Sequence, residues 1–113
     1  MKIILNNLIK VSSNQIYAGM HWRGRHKLKN DYLFLTNSFK DLEAIEGKVD
    51  LDFKFYFKKN ALDSSNCSYL AKVIEDCLVH HKVLKGDTIK YVGKVSMESF
   101  KTVDNDYCII TTN

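Results

Sequence analysis

Val49-Asp50-Leu51-Asp52-Phe53-Lys54-Phe55-Tyr56-Phe57 is the stretch that decides the architecture. Its odd positions are all apolar and its even positions mostly polar. Only an extended strand turns a period of two into one apolar face and one polar face. On a helix the same residues would be scattered around the axis. One side of this strand therefore meets a core, and the other meets water or a site. Lys58-Lys59-Asn60 ends it.

Toward the carboxyl end, Cys67, Leu70, Ala71, Ile74, Cys77 and Leu78 recur at three- and four-residue spacing, which predicts a helix over 65–80 with one apolar stripe. Ser64 or Ser65 suits its N-cap, and His80-His81-Lys82 suits the negative pole at its far end. Lys85-Gly86-Asp87 reads as a turn, and 89–97 and 106–112 as two strands joined through Asp104-Asn105. Toward the amino end, Leu28, Tyr32, Leu35 and Phe39 predict a helix over 27–39. Residues 15–26 read as an irregular arm with flexible points at Gly19 and Gly24. Ser12-Ser13-Asn14 reads as a turn, and Ile3, Ile4, Leu5, Leu8 and Ile9 as an opening strand over 2–10. The order β-α-β-α-β-β predicts an α+β fold, a small mixed sheet with two main helices on one face.

The 113 residues fit a single domain, 1–113. At 45% hydrophobic and 27% charged, the composition is that of a folded globule. Apolar runs are too short to span a bilayer, and the opening residues lack a signal-peptide pattern, so a cytoplasmic protein without a membrane partner is expected. Cys67 and Cys77 would lie about 15 Å apart along one helix, too far for a disulfide. With Cys108 in a strand, the odd count points to buried thiols in a reducing compartment.

The charge is mildly basic, 17 Lys and Arg against 13 Asp and Glu for a net +4. Its placement is more telling. His21-Trp22-Arg23-Gly24-Arg25-His26-Lys27 holds cations around an aromatic and no acid, a combination that grips phosphates and stacks on unpaired bases. The competing reading is a solvated basic loop with Trp22 tucked into the core. Lys54, Lys58 and Lys59 read as secondary phosphate contacts or as guards on an edge strand.

Opposite the apolar stripe of the second helix, Tyr69, Lys72 and Asp76 share a face, with Asp63 just before the helix and Asp87 in the turn after it. Carboxylates beside a lysine are able to hold Mg²⁺ and to steady phosphate charge. Equally, they are what a solvated helix face carries. Glu75 reads as a surface acid. His80 and His81 point about 100° apart on a helix, which favours a helix-terminal role over a shared ion.

Leu62-Asp63-Ser64-Ser65-Asn66, followed by Lys72, Asp76, Leu78 and Gly86-Asp87, resembles the signature of the RusA family of Holliday-junction resolvases. That family shows an Asp-x-Asp-Asn element opening a helix, then a lysine and an aspartate one turn apart, then an Asp-Asp turn before a strand. The separation of Lys72 from Asp87 equals the family's. Ser12-Ser13-Asn14-Gln15-Ile16-Tyr17 is similar to its Ser-Asn-Asn-x-Tyr-Tyr segment, and the run through Arg25 to its arginine-bearing arm. The resemblance covers nearly the whole chain, most specifically Asp63 to Asp87. Ser65 and Gly86 stand where the family has acids, and the gap from Asn66 to Lys72 is longer. Asp76, or Asp52 on the strand, is available to replace the missing charge.

The resemblance implies a phage-type, Mg²⁺-dependent (or Mn²⁺-dependent) endodeoxyribonuclease that resolves four-way or other branched DNA in recombination and repair, acting as a homodimer. Asp63 and Asp87 would hold the metal. Lys72 would stabilise the developing charge, and Asn66 and Asp76 would support them. Asn14, Tyr17, Trp22, Arg23, Arg25 and Lys27 would contact DNA. The alternative is a non-catalytic DNA- or RNA-binding module on the same fold, its metal site eroded at Ser65 and Gly86.

Overall fold

The alternation that opens the sequence becomes β2 (Val49–Phe57), a strand paired on both sides. Leu51, Phe53, Phe55 and Phe57 turn one way and are fully buried, while Asp52, Lys54 and Tyr56 turn the other way and are half-buried. The phenylalanine rings run along the strand 6.0 and 6.3 Å apart and nearly parallel. Removing one of these rings costs about 3–5 kcal/mol in a packed core.

A computed structural model describes residues 1–19 and 22–113, with the side chain of Tyr17 outside that description. The elements are β1 (Lys2–Asn6), α1 (Ser13–Tyr17), α2 (Trp22–Leu35), β2, α3 (Ser68–His80), β3 (Val92–Lys101) and β4 (Tyr107–Thr112), with 3₁₀ turns at Asn37–Asp41 and Ser64–Cys67. The sheet order is β1-β4-β2-β3. β4 is antiparallel to β1 and β2, and β3 is parallel to β2. The fold is therefore α+β, a mixed four-stranded sheet with three helices among the described residues. Ile3, Leu5, Cys108 and Ile110 join the phenylalanines of β2 in one cluster with Leu70, Ile74 and Leu78 of α3 and Leu28 and Tyr32 of α2. All three cysteines are free and buried.

Three sequence expectations change. Residues 15–26 are not an irregular arm: α1 and α2 occupy most of that span, and Gly24 lies inside α2. Ser12 is not a turn residue either. It caps α1, its hydroxyl accepting from the Gln15 amide at 3.1 Å while its own amide donates to Gln15 Oε1 at 2.8 Å. This reciprocal pair satisfies two orphan helix donors, so a polar tripeptide starts a helix rather than ending a strand. β2 is also central, which removes the edge-guard reading of Lys54.

The end of α3 positions everything that follows. Lys82 adopts a left-handed conformation (φ 64). Its amide donates to Val79 O at 3.0 Å, and that of Val83 donates to Leu78 O at 2.9 Å. These two bonds close the helix and reverse the chain. Val83 and Leu84 then bury themselves in the core, which carries Lys85-Gly86-Asp87 back alongside the helix.

Candidate cation site on the third helix

Because the chain doubles back, Asp87 lies beside the middle of α3. Lys72 Nζ stands 2.7 Å from Asp87 Oδ2, 3.2 Å from Asp76 Oδ1 and 3.3 Å from Glu75 Oε1. Carboxylate oxygens of Glu75, Asp76 and Asp87 all lie within 4.8 Å of one another. Three carboxylates thus face one ammonium, leaving a net negative pocket. Glu75 is buried, Asp76 half-buried and Asp87 exposed, so the oxygens run from the core edge out to solvent.

The environment tunes these groups in opposite directions. Burial holds the Glu75 carboxyl above its ordinary range, and Lys72 only partly offsets that. Lys72 holds Asp87 below the usual carboxylate range. The hydrogen bond that Lys72 donates to Asp87 raises its ammonium well above an ordinary lysine.

Glu75 is the residue the sequence reading misplaced. It was expected at the surface, yet its residue exposure is 7%. The available signal was its spacing of three from Lys72, which places the pair on neighbouring turns. Asp52, offered as a replacement acid, sits on the opposite face of the sheet from the helices and accepts from Ser96 Oγ at 2.7 Å.

Asp63 is not part of the cluster. Nine residues of helix, about 14 Å of rise, separate it from Lys72. It lines a different depression with Ser64, Ser99 and Lys101. The two acids that the resemblance pairs as metal ligands, Asp63 and Asp87, thus face different parts of the surface. Asn66 stays at the Asp63 end, its amide donating to Asp63 O at 2.9 Å and its carbonyl accepting from Ser13 Oγ at 3.3 Å. Ser64, expected as an N-cap, instead accepts from the Ser99 amide at 3.1 Å. The Gly86 position, which lacks the family's acid, has a packing explanation. A Cβ there would come within 2.9 Å of the Tyr91 ring.

Asp76 and Asp87 border a groove of about 340 Å³ between α2 and α3, whose other walls include Lys29, Leu33, Cys77 and His80. Lys29 closes the basic run that starts at His21. Trp22, Lys29 and Leu33 recur on one side of α2 at spacings of seven and four, so the exposed Trp22 lies further along the groove side of the helix. Its 65% exposure rules out the reading in which it is tucked into the core. Arg23 packs over the Trp22 ring at 5.6 Å. Arg25 donates to Ile16 O at 3.1 Å, tying α2 to α1, and Lys27 pairs with Asp31 at 2.8 Å. Asn14 is exposed on α1. The expected contact of Tyr17 and the histidine at 21 lie outside the described residues. His81 Nε2 lies 3.2 Å from Thr36 Oγ1 and 3.3 Å from Leu33 O, which joins the end of α3 to α2.

Compared with known proteins, the chain matches no family model, no curated protein and no solved structure. Among the described residues, no helix is long and apolar enough to cross a membrane.

Proposed function

We propose that the chain is a divalent-cation-dependent endonuclease of branched DNA, with Glu75, Asp76 and Asp87 as its acid set. The observation that supports this reading is the convergence of three carboxylates within 4.8 Å beside Lys72, on the rim of a groove that Lys29 also borders. Oxygen-only, multiply anionic donor sets suit hard cations such as Mg²⁺ and Mn²⁺. When bound, such a cation polarises a phosphoryl oxygen and lowers the pKa of water. The residues of the chain do the rest. Lys72 shares its partners with any incoming cation, and once released from them its ammonium is free to face the developing charge of a phosphodiester. Lys29 draws the DNA backbone toward the acids, and Trp22 offers a surface to an unstacked base. Two copies acting together would nick both strands of a four-way junction.

A synthetic four-way junction incubated with Mg²⁺, with Mn²⁺ or with chelator tests this. Cleavage that needs the metal and disappears in Asp87→Asn, with gel-shift binding retained, is the expected result. Full cleavage by Asp87→Asn removes the acid cluster from the mechanism.

One observation favours a second reading, a non-catalytic nucleic-acid-binding module. Lys72 already satisfies all three acids, and Asp63 stands apart from them. Calorimetry separates the two: junction binding without measurable Mg²⁺ or Mn²⁺ affinity selects the module.

A further inference from the structure

Away from the acid cluster, one end of the sheet holds two adjoining cavities. β3 and β4 are not neighbours, so residues 102–106 cross over the end of β2. Asp106 pins that crossing. Its Oδ1 accepts from the Lys58 amide at 2.9 Å, and its carbonyl accepts from the Leu8 amide at 3.1 Å. The segments that follow β1 and β2 and precede β4 are thereby held around a cavity of about 380 Å³, lined by Lys10, Lys58, Lys59 and Asp106. Three ammonium groups against one carboxylate leave it net positive. Lys10 Nζ donates to Lys59 O at 2.8 Å and to Asn60 O at 3.2 Å, which fixes its head and leaves one of its three donors for a ligand. Among the described residues, none of these lysines is paired with a carboxylate.

Asn7 and Asn105 line this cavity and also a second one of about 550 Å³. Ile4, Asn6 and Tyr107 border the second, on the face of the sheet turned away from the helices. One side of the Tyr107 ring is stacked on Tyr56, with centroids 4.5 Å apart. Its other side looks across Asn6, its partner in β1, toward the sheet edge. Ile4, 56% exposed, adds an apolar floor, and the three asparagines add carboxamides that both donate and accept. Such a wall offers a planar heterocycle stacking for its ring and hydrogen bonds for its edge. Asp104 borders the same cavity and repels phosphate from it. That sets a direction, with the base against Tyr107 and the phosphate over the lysines.

We propose that the two cavities together bind one nucleotide, free or as an unpaired residue of a single strand. The sheet separates the base cavity from Glu75, Asp76 and Asp87, so the site does not depend on a cation there. Titration calorimetry in chelating buffer tests it, with AMP, a short single-stranded oligonucleotide and inorganic phosphate as probes. AMP or the oligonucleotide should bind, and phosphate should bind about tenfold or more weakly, for want of a base to stack. AMP binding alone assigns the site to free nucleotides, and oligonucleotide binding alone assigns it to strands. Lys58→Glu with Lys59→Glu, both exposed, should weaken the bound nucleotide by about tenfold or more. The same change of charge in Lys48→Glu with Lys94→Glu, at the opposite end of β2 and β3, should alter it by less than about threefold. Tyr107→Leu keeps apolar bulk without the ring and should cost about tenfold, the worth of one stacked base. Ile4→Glu probes the same cavity from an exposed position if Tyr107→Leu fails to fold. Absence of binding by both AMP and oligonucleotide overturns the proposal. So does phosphate that binds as tightly as AMP, or a nucleotide affinity that Tyr107→Leu and Ile4→Glu leave unchanged. Because no metal is present, either result stands apart from that of the junction-cleavage assay.

Discussion

The two ends of α3 carry similar residues and behave differently. At its start, Asp63 stands exposed beside Ser64, and both Asp63 and Asn66 serve mainly the backbone of a 3₁₀ turn. Past its end, Asp87 is folded back by a left-handed residue and two buried aliphatics until it meets Lys72. Charge alone therefore does not make a site. What distinguishes the two ends is whether the adjoining chain is steered back along the helix.

The largest effect that tests this contrast is on cation binding. The double substitution Asp76→Asn and Asp87→Asn should lower Mn²⁺ affinity by about 100-fold or more, since losing even outer partners of a metal ligand costs 10–100-fold. Asp63→Asn should leave it within about threefold. Calorimetry yielding the reverse order would move the site to the other end of the helix.

Lys72→Met comes next, and it pulls two observables apart. Removing the ammonium leaves Glu75 buried without its counter-charge. Because Lys72 is half-exposed, the loss is discounted from the 3–5 kcal/mol of a fully buried pair to about 1–2 kcal/mol. Cation affinity should rise as the internal competitor disappears, while junction cleavage falls. Chemical denaturation and calorimetry on the same variant read both.

A smaller effect concerns pH. The folded chain keeps the Glu75 proton to higher pH than the unfolded chain does, so this group costs stability as pH rises above its ordinary 4.5. Asp87 acts in the opposite sense: its contribution is present above 3.8 and is lost as pH falls through its lowered folded value. Glu75→Gln should therefore lift the melting temperature more at pH 8 than at pH 5, and melting scans across that interval check it. Smallest is Lys82→Gly, which should add about 0.5–1 kcal/mol by relieving a left-handed L-residue. It should leave cation binding unchanged, because the reversal itself is preserved.

How far the sequence carried the reading follows from what periodicity encodes. The period of two in 49–57 and the stripe of Leu70, Ile74 and Leu78 are local, and both elements formed where they were expected. α2 begins at Trp22, ahead of the expected Lys27: its first turn packs no residue into the core, so the apolar spacing that marks the helix starts only at Leu28. The same rule of 100° per residue placed Lys72 and Asp76 together. It said nothing about where Asp87 goes, since that depends on Val83 and Leu84 finding the core. Glu75 was missed because it lies at the border between the two faces, where angular position alone does not decide burial.

The buried thiols give this chain a built-in clock. Cys67, Cys77 and Cys108 sit in the 3₁₀ turn, in α3 and in β4, all essentially without solvent access, and burial pushes the Cys67 thiol up to about 11. An alkylating reagent at neutral pH therefore waits for each segment to open before it reacts. Labelling rates at the three positions then time the opening of the helical layer and of the sheet separately, with no added probe.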